Sequence, residues 1–156
     1  MDISQITDYL YISSKAEDES IETVRKLDPR LVISMIFNDR PPKELGEPPI
    51  TVLWLRTIDF PLVLIPVSKL RRGVETALPV IRNGHKVLVF CHSGVHRSVA
   101  MATCILVGNG YTADKAMQLI SQKREVADPY TWHIQRQIRK FETYWNKHHP
   151  EDAGAN

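Results

Sequence analysis

At 156 residues, with 43% hydrophobic and 24% charged residues, the chain suits one soluble globular domain with a sizeable core. A formal net charge of +2 excludes nucleic-acid binding driven by bulk charge and is compatible with an anionic substrate. Two cysteines, Cys91 and Cys104, are too few for a disulfide-stapled secreted scaffold, and the polar start Met1-Asp2-Ile3-Ser4-Gln5 carries no basic-then-apolar pattern, so no leader is expected. No apolar run reaches the ~18 residues of a membrane span. The expected setting is the reducing cytoplasm, where a thiol stays free.

The aromatic and β-branched residues 9–12 predict a short strand. Residues 17–27 carry Ile21, Val24 and Leu27 on one helical stripe, ended by Asp28-Pro29. The continuous apolar run 31–36 reads as a strand buried on both faces. A loop over 38–49 with four prolines follows, then a strand over 51–55 and a loop over 57–66. Leu70, Val74, Leu78 and Ile81 predict a helix over 67–82, stopped by Asn83-Gly84. A strand over 86–90 leads into the loop 91–97 and a helix reaching about 107, closed by Gly108-Asn109-Gly110. Further helices are expected over 112–124, with Thr112 as N-cap, and over 131–145. This alternation predicts an α/β fold: a central mixed sheet of four to five strands flanked by helices. Residues 1–147 are expected to form one catalytic domain and residues 148–156 a polar tail.

The chemistry concentrates between the strand over 86–90 and the helix after it. Cys91 stands six positions before Arg97, in Cys91-His92-Ser93-Gly94-Val95-His96-Arg97-Ser98. A tight loop ahead of a helix aims backbone N–H groups and the positive end of the helix dipole at one point, which suits a dianion. A free thiol titrates near ~8.5, and such a loop is expected to favour the thiolate. Gly94 allows an unusual φ, Arg97 offers a planar fork for two phosphate oxygens, and the Ser98 hydroxyl is placed to hydrogen-bond the sulfur. The stretch is suited to attack on a phosphate ester by sulfur.

These residues match the Cys-x-x-Gly-x-x-Arg-Ser/Thr loop of the protein-tyrosine phosphatase superfamily, and in size and layout the chain resembles its dual-specificity branch. Ile6 to Ser13 is similar to that branch's opening strand, and Gln137 to Glu142 to its closing helix. The resemblance implies a cysteine-phosphatase fold, a phosphocysteine intermediate and a phosphorylated protein or peptide as substrate. It implies hydrolysis of phosphotyrosine, with phosphoserine and phosphothreonine alongside, and calls for no cofactor and no metal. His92, Ser93, Gly94, Val95, His96 and Arg97 would bind the phosphate, and Cys91, Arg97, Asp59 and Ser98 would be catalytic. Asp59 is assigned as general acid because the family places an Asp on a loop after a strand, about thirty residues before the Cys; here the separation is 32. Its apolar neighbours Ile58, Phe60 and Pro61 suggest a raised pKa. Asp39 is the rival acid, on an earlier loop.

One residue departs from the family: Phe90 stands where His usually precedes the Cys, which implies weaker support for the thiolate. His92 and His96, four apart, have a metal-binding spacing only on a helix, and are expected at the pocket rim. Cys104 reads as core, Arg71 and Arg72 as solvated helix charges, and no role is transferred to residues 125–130. The alternatives are a catalytically weak or inactive phosphate-binding relative, a phosphatase acting on phosphoinositide or on RNA or nucleotide phosphate, and a rhodanese-like sulfurtransferase. The expected state is a monomer, with no nucleic-acid partner and no membrane span.

Overall fold

The structure, a computed structural model, describes residues 1–152. Five strands, β1 (Ile3–Gln5), β2 (Leu10–Ser13), β3 (Pro29–Ile36), β4 (Thr51–Thr57) and β5 (Lys86–Phe90), form one sheet in the order β1-β2-β5-β3-β4. β1 pairs antiparallel with β2 and every other pairing is parallel, so the expected mixed α/β sheet is observed. The helices are α1 (Ile21–Leu27), α2 (Val67–Arg82), α3 (Arg97–Gly108), α4 (Ala113–Lys123) and α5 (Trp132–His148).

Strand periodicity divides the core in two. Leu31, Ile33 and Met35 of β3 and Val87 and Val89 of β5 face α2 to α5, whereas Val32, Leu88 and Phe90 face the layer containing α1 and Leu45. α3 is the centre of the larger layer. All twelve of its residues are buried, which is why its sequence is apolar all round rather than striped. Close approach of α2 to α3 depends on two glycines. A Cβ on Gly73 would collide with the Met101 thioether, and one on Gly108 with Val74.

Several boundaries differ from the sequence-based expectation. The strand expected over 9–12 is β2, shifted by one residue to Leu10–Ser13, and the stretch ahead of it is a turn: Ile6 and Thr7 N–H donate to the Leu10 carbonyl and the Thr7 hydroxyl accepts from Tyr9 and Leu10 N–H. This turn folds the unforeseen β1 back on β2. The helix expected from residue 17 opens as a 3₁₀ turn over Asp18–Ser20 and ends at Asp28 in the left-handed region, φ 60°. β4 runs on to Thr57, whose hydroxyl donates to the Met35 carbonyl at 2.7 Å. Asn83-Gly84 stops α2 as expected, with Gly84 at φ 78°, and the Thr112 hydroxyl caps α4 by accepting from Lys115 N–H at 3.2 Å. α5 continues past Trp145 to His148, and Pro150–Asp152 forms a 3₁₀ turn; the remainder of the expected tail, 153–156, lies outside the described residues.

Candidate active site

The site lies where the parallel strands β3, β4 and β5 deliver their carboxyl ends and α3 begins, the usual ligand position in such sheets. Cys91 follows β5 directly and is 2% exposed, with its sulfur 3.2 Å from the fully buried Ser98 hydroxyl.

The loop between them is held from outside by its carbonyl groups. His92 C=O accepts from Lys15 N–H at 3.0 Å, Val95 C=O from Asp128 N–H at 2.9 Å, and His96 C=O from Ala100 N–H in α3 at 2.8 Å. Ser93 and Gly94 C=O both accept from the Arg124 guanidinium, at 3.2 and 2.7 Å. In a planar trans peptide the N–H points opposite to the C=O. Four carbonyls fixed outward, with the His96 carbonyl directed along α3, therefore turn the N–H groups of residues 93–97 inward, toward the Cys91 side. The result is an anion-binding nest above a sulfur at a helix N-terminus. Gly94 sits at φ 68°, and a Cβ there would meet the Arg124 guanidinium and, at 2.8 Å, the Ser13 carbonyl. Only glycine fits that position without strain.

Arg97 is 8% exposed, and one terminal nitrogen donates to the Met35 and Thr57 carbonyls at 3.2 and 2.9 Å. Its Nε is buried without a protein partner. A guanidinium anchored at one corner, with a further N–H desolvated, is preorganised for an oxyanion, since an unpaired buried donor is otherwise costly.

Asp59 follows β4 on an exposed loop, with its side chain 31% accessible. One carboxylate oxygen accepts from His96 Nδ1 at 2.8 Å and the other from His133 Nε2 at 3.0 Å. The expected raised pKa is corrected. Burial does push Asp59 up, but hydrogen bonds from His133 and His96, with the charges of His96 and Arg97, outweigh it and hold the carboxyl below its ordinary value. The rival Asp39 is engaged by Lys15 at 2.7 Å.

The structure brings Cys91, Ser98 and Arg97 together and places Asp59 beside His96 and Arg97. His92 and Ser93 side chains are exposed on the loop's outer surface. The His96 side chain, expected at the rim, bonds Asp59, while its backbone N–H is among those turned inward. Phe90 also reads differently in three dimensions. Strand alternation sends it to the α1 side of the sheet, opposite Cys91, where it is 1% exposed among Val32, Leu45 and Leu88. Cys104 is fully buried, and burial pushes its thiol well above the ordinary value. Arg71 bonds the Tyr144 hydroxyl on α5 and pairs with Glu75, a structural surface contact.

Three residues escaped the sequence reading. Arg124, 2% exposed in its side chain, ties the loop to Ser4 and Asp2 as well as to Ser93 and Gly94. Asp128 fixes the Val95 carbonyl through its N–H. His133, 6% exposed, reaches Asp59 across 74 residues of sequence. A polar residue at the buried start of an otherwise patterned helix was the available signal for His133; Arg124 had none beyond its place at a helix end.

No family model matches the chain. Among curated proteins it is similar to dual specificity phosphatase 28 of Mus musculus, 35% identical over 65 residues. That match spans 40% of this chain and 38% of the relative, well under half of either. Solved structures are similar over nearly the full length. A mouse dual specificity phosphatase complexed with zinc tungstate superposes with a TM-score of 0.84 at 21% identity, covering 99% of this chain and 93% of that one. PTPMT1 in complex with PI(5)P gives 0.80 at 19% identity, covering 94% and 97%. The fold is that of the cysteine phosphatases, as the resemblance in the sequence implied, and no described helix is long and apolar enough to cross a membrane.

Proposed function

We propose that the chain is a cysteine-dependent phosphomonoesterase acting on phosphorylated protein or peptide, with phosphotyrosine as the principal substrate and phosphoserine and phosphothreonine alongside. The observation that carries this reading is the outward fixing of four consecutive loop carbonyls above a buried Cys91 whose sulfur lies 3.2 Å from Ser98. A phosphate dianion seated in that nest has inward N–H groups and Arg97 for its equatorial oxygens. The Cys91 thiolate attacks phosphorus in line, the P–S bond forms, and the P–O bond to the leaving group breaks. Asp59 supplies the proton to the departing oxygen, and its carboxylate then takes one from the water that attacks the phosphocysteine. Ser98 donates a hydrogen bond to the sulfur as it leaves.

Exposed apolar side chains surround this region of the chain: Phe60 and Leu62 on the acid loop, 50% and 84% exposed, and Trp132, 57% exposed and edge-on to His133. They favour a substrate carrying apolar or aromatic groups next to its phosphate. A second reading, a catalytically weak phosphate-binding relative, is favoured by Asp59 itself, which two histidines hold in the ionised form.

Hydrolysis of p-nitrophenyl phosphate and of a phosphotyrosyl peptide, with EDTA present, tests the proposal. Wild type is expected to turn over and Cys91→Ser to be inactive. Asp59→Asn is expected to lower kcat while leaving inorganic phosphate binding intact. Activity persisting in Cys91→Ser refutes the mechanism. Phosphate binding without turnover by wild type selects the second reading.

A further inference from the structure

Asp59, His96 and His133 come from the β4–α2 loop, the Cys91–Arg97 loop and the first turn of α5, yet one ligand atom from each lies within 4.8 Å of the others. His96 Nδ1 and His133 Nε2 approach different oxygens of the same carboxylate, at 2.8 and 3.0 Å. Metal–ligand bonds of ~2.0–2.1 Å in a tetrahedron place donor atoms about 3.3 Å apart. The two histidine–carboxylate spacings are already close to that value, and side-chain rotation has to bring the remaining pair, within 4.8 Å, to it. Two imidazoles and one carboxylate suit a borderline divalent ion such as Zn²⁺ better than Mg²⁺ or Ca²⁺, which prefer all-oxygen sets.

The surroundings of His96 add an independent observation. When Nδ1 ligates a metal, the imidazole proton resides on Nε2. That nitrogen lies 3.4 Å from the Thr131 hydroxyl and 3.5 Å from an Asp128 carboxylate oxygen. Asp128 is itself fixed by N–H groups of Tyr130 and Thr131 at 3.0 and 3.2 Å and by the Thr131 hydroxyl. A carboxylate behind a histidine is the outer-shell partner that orients metal-ligating imidazoles and raises their basicity. His133 is rigid for another reason: it is 6% exposed, so its ring is held by packing. Its Nδ1 is buried without a protein partner, so moving the proton there from Nε2 leaves that N–H unpaired, a cost the bond to the ion has to outweigh.

We propose that Asp59, His96 and His133 form a binding site for one Zn²⁺-class ion, and that its occupancy switches the enzyme off reversibly. The ion takes the place of the two imidazole protons now shared with the carboxylate. An Asp59 bound to metal has no proton for the leaving oxygen and no free carboxylate for water. The inhibitory consequence rests on the phosphatase reading above; the binding site does not.

The test is titration of chelator-treated protein with ZnCl₂ by isothermal calorimetry, and with CoCl₂ by visible absorption, which reports nitrogen and oxygen ligation apart from thiolate. Wild type and Cys91→Ser are expected to bind one ion with equal affinity, with no sulfur-to-cobalt charge-transfer band. His96→Asn and His133→Asn should each weaken binding by more than the about tenfold expected for the outer-shell change Asp128→Asn. Circular dichroism checks folding, and the quarter-exposed His96 provides a variant that does not disturb the core. Loss of binding in Cys91→Ser, or His96→Asn binding like wild type, overturns the site. Zn²⁺ binding at the three residues in a protein without hydrolytic activity keeps the site and refutes the phosphatase reading. Turnover unaffected by saturating Zn²⁺ overturns the switch.

Discussion

Replacing Arg124 with Met removes the guanidinium and keeps most of the side chain's apolar length. The ion pair to Asp2 contributes little, since that carboxylate is 60% exposed. The bonds to the Gly94 and Ser93 carbonyls, at 2.7 and 3.2 Å, come from a charged donor that is nearly fully buried. Bonds of that kind contribute about 1.5–3 kcal/mol each, and their loss leaves two loop carbonyls unpaired. The expected destabilisation is about 3 kcal/mol, a fall of about 1.5 M in the urea midpoint at a slope near 2 kcal/mol/M. The effect on rate follows from position rather than stability. Released carbonyls let the peptide units at 93–95 rotate, and a misplacement of about 1 Å at a reacting centre costs about 100-fold. Hydrolysis of p-nitrophenyl phosphate should thus lose about 100-fold in kcat/KM under conditions where the variant is folded. Arg124→Lys, which keeps the charge but not the fork, should recover part of the stability and little of the rate. A variant Arg124→Met with an unchanged urea midpoint and kcat/KM within about twofold of wild type would refute the idea that the loop is shaped from behind.

Gly94→Ala imposes a strained φ and drives a methyl against Arg124 and the Ser13 carbonyl; urea unfolding should show a loss of about 1–3 kcal/mol, and phosphate affinity should fall with it. Ser98→Ala removes the hydrogen bond to sulfur, so stopped-flow assays should show slower breakdown of the phosphocysteine with its formation rate largely kept. Phe90→His puts a polar ring among Val32, Leu45 and Leu88 on the far side of the sheet; it should cost about 2–3 kcal/mol in thermal or urea unfolding and give no gain in rate. Asp59 and Asp128 both titrate below the ordinary carboxylate value of 3.8: His133 and His96 outweigh burial at Asp59, and the Thr131 hydroxyl dominates at Asp128. Their contribution to stability is complete above 3.8 and disappears as pH falls through the lower folded values. The urea midpoint should therefore hold from pH 7 to about 5 and drop below about 4, less steeply in Asp59→Asn.

What was legible in the sequence was whatever depends on local pattern. Alternation and helical stripes place β3, β5 and α2, and a thiol, a glycine, a guanidinium and a hydroxyl at fixed spacing mark the loop. What stayed hidden depends on contacts between distant segments. Nothing local to Arg124 or Asp128 says that their hydrogen bonds end on carbonyls about thirty residues earlier. His133 looks like any polar residue near a helix start until folding sets it against Asp59. Phe90 misleads in the opposite sense: adjacency to Cys91 in the chain suggests an electrostatic partner, yet adjacency in a strand means the opposite face. The pKa expectation for Asp59 failed likewise, because its apolar neighbours are visible in the sequence and its two histidines are not.

The Arg124 side chain joins residues 2, 4, 93, 94 and 124 in one cluster of bonds, with separations of up to 122 positions. Contacts between such remote segments close the longest loops of the chain and are entropically the last to be rewarded during folding. A nascent chain that has made Cys91 and Arg97, and even all of α3, therefore holds the Cys91 thiol without the frame that shapes its loop. That frame closes only once residue 124 has emerged and found β1. On the proposed function, turnover would be a sensitive reporter of assembly, and short extensions near residue 2 are a place from which the Cys91 loop can be disturbed at a distance.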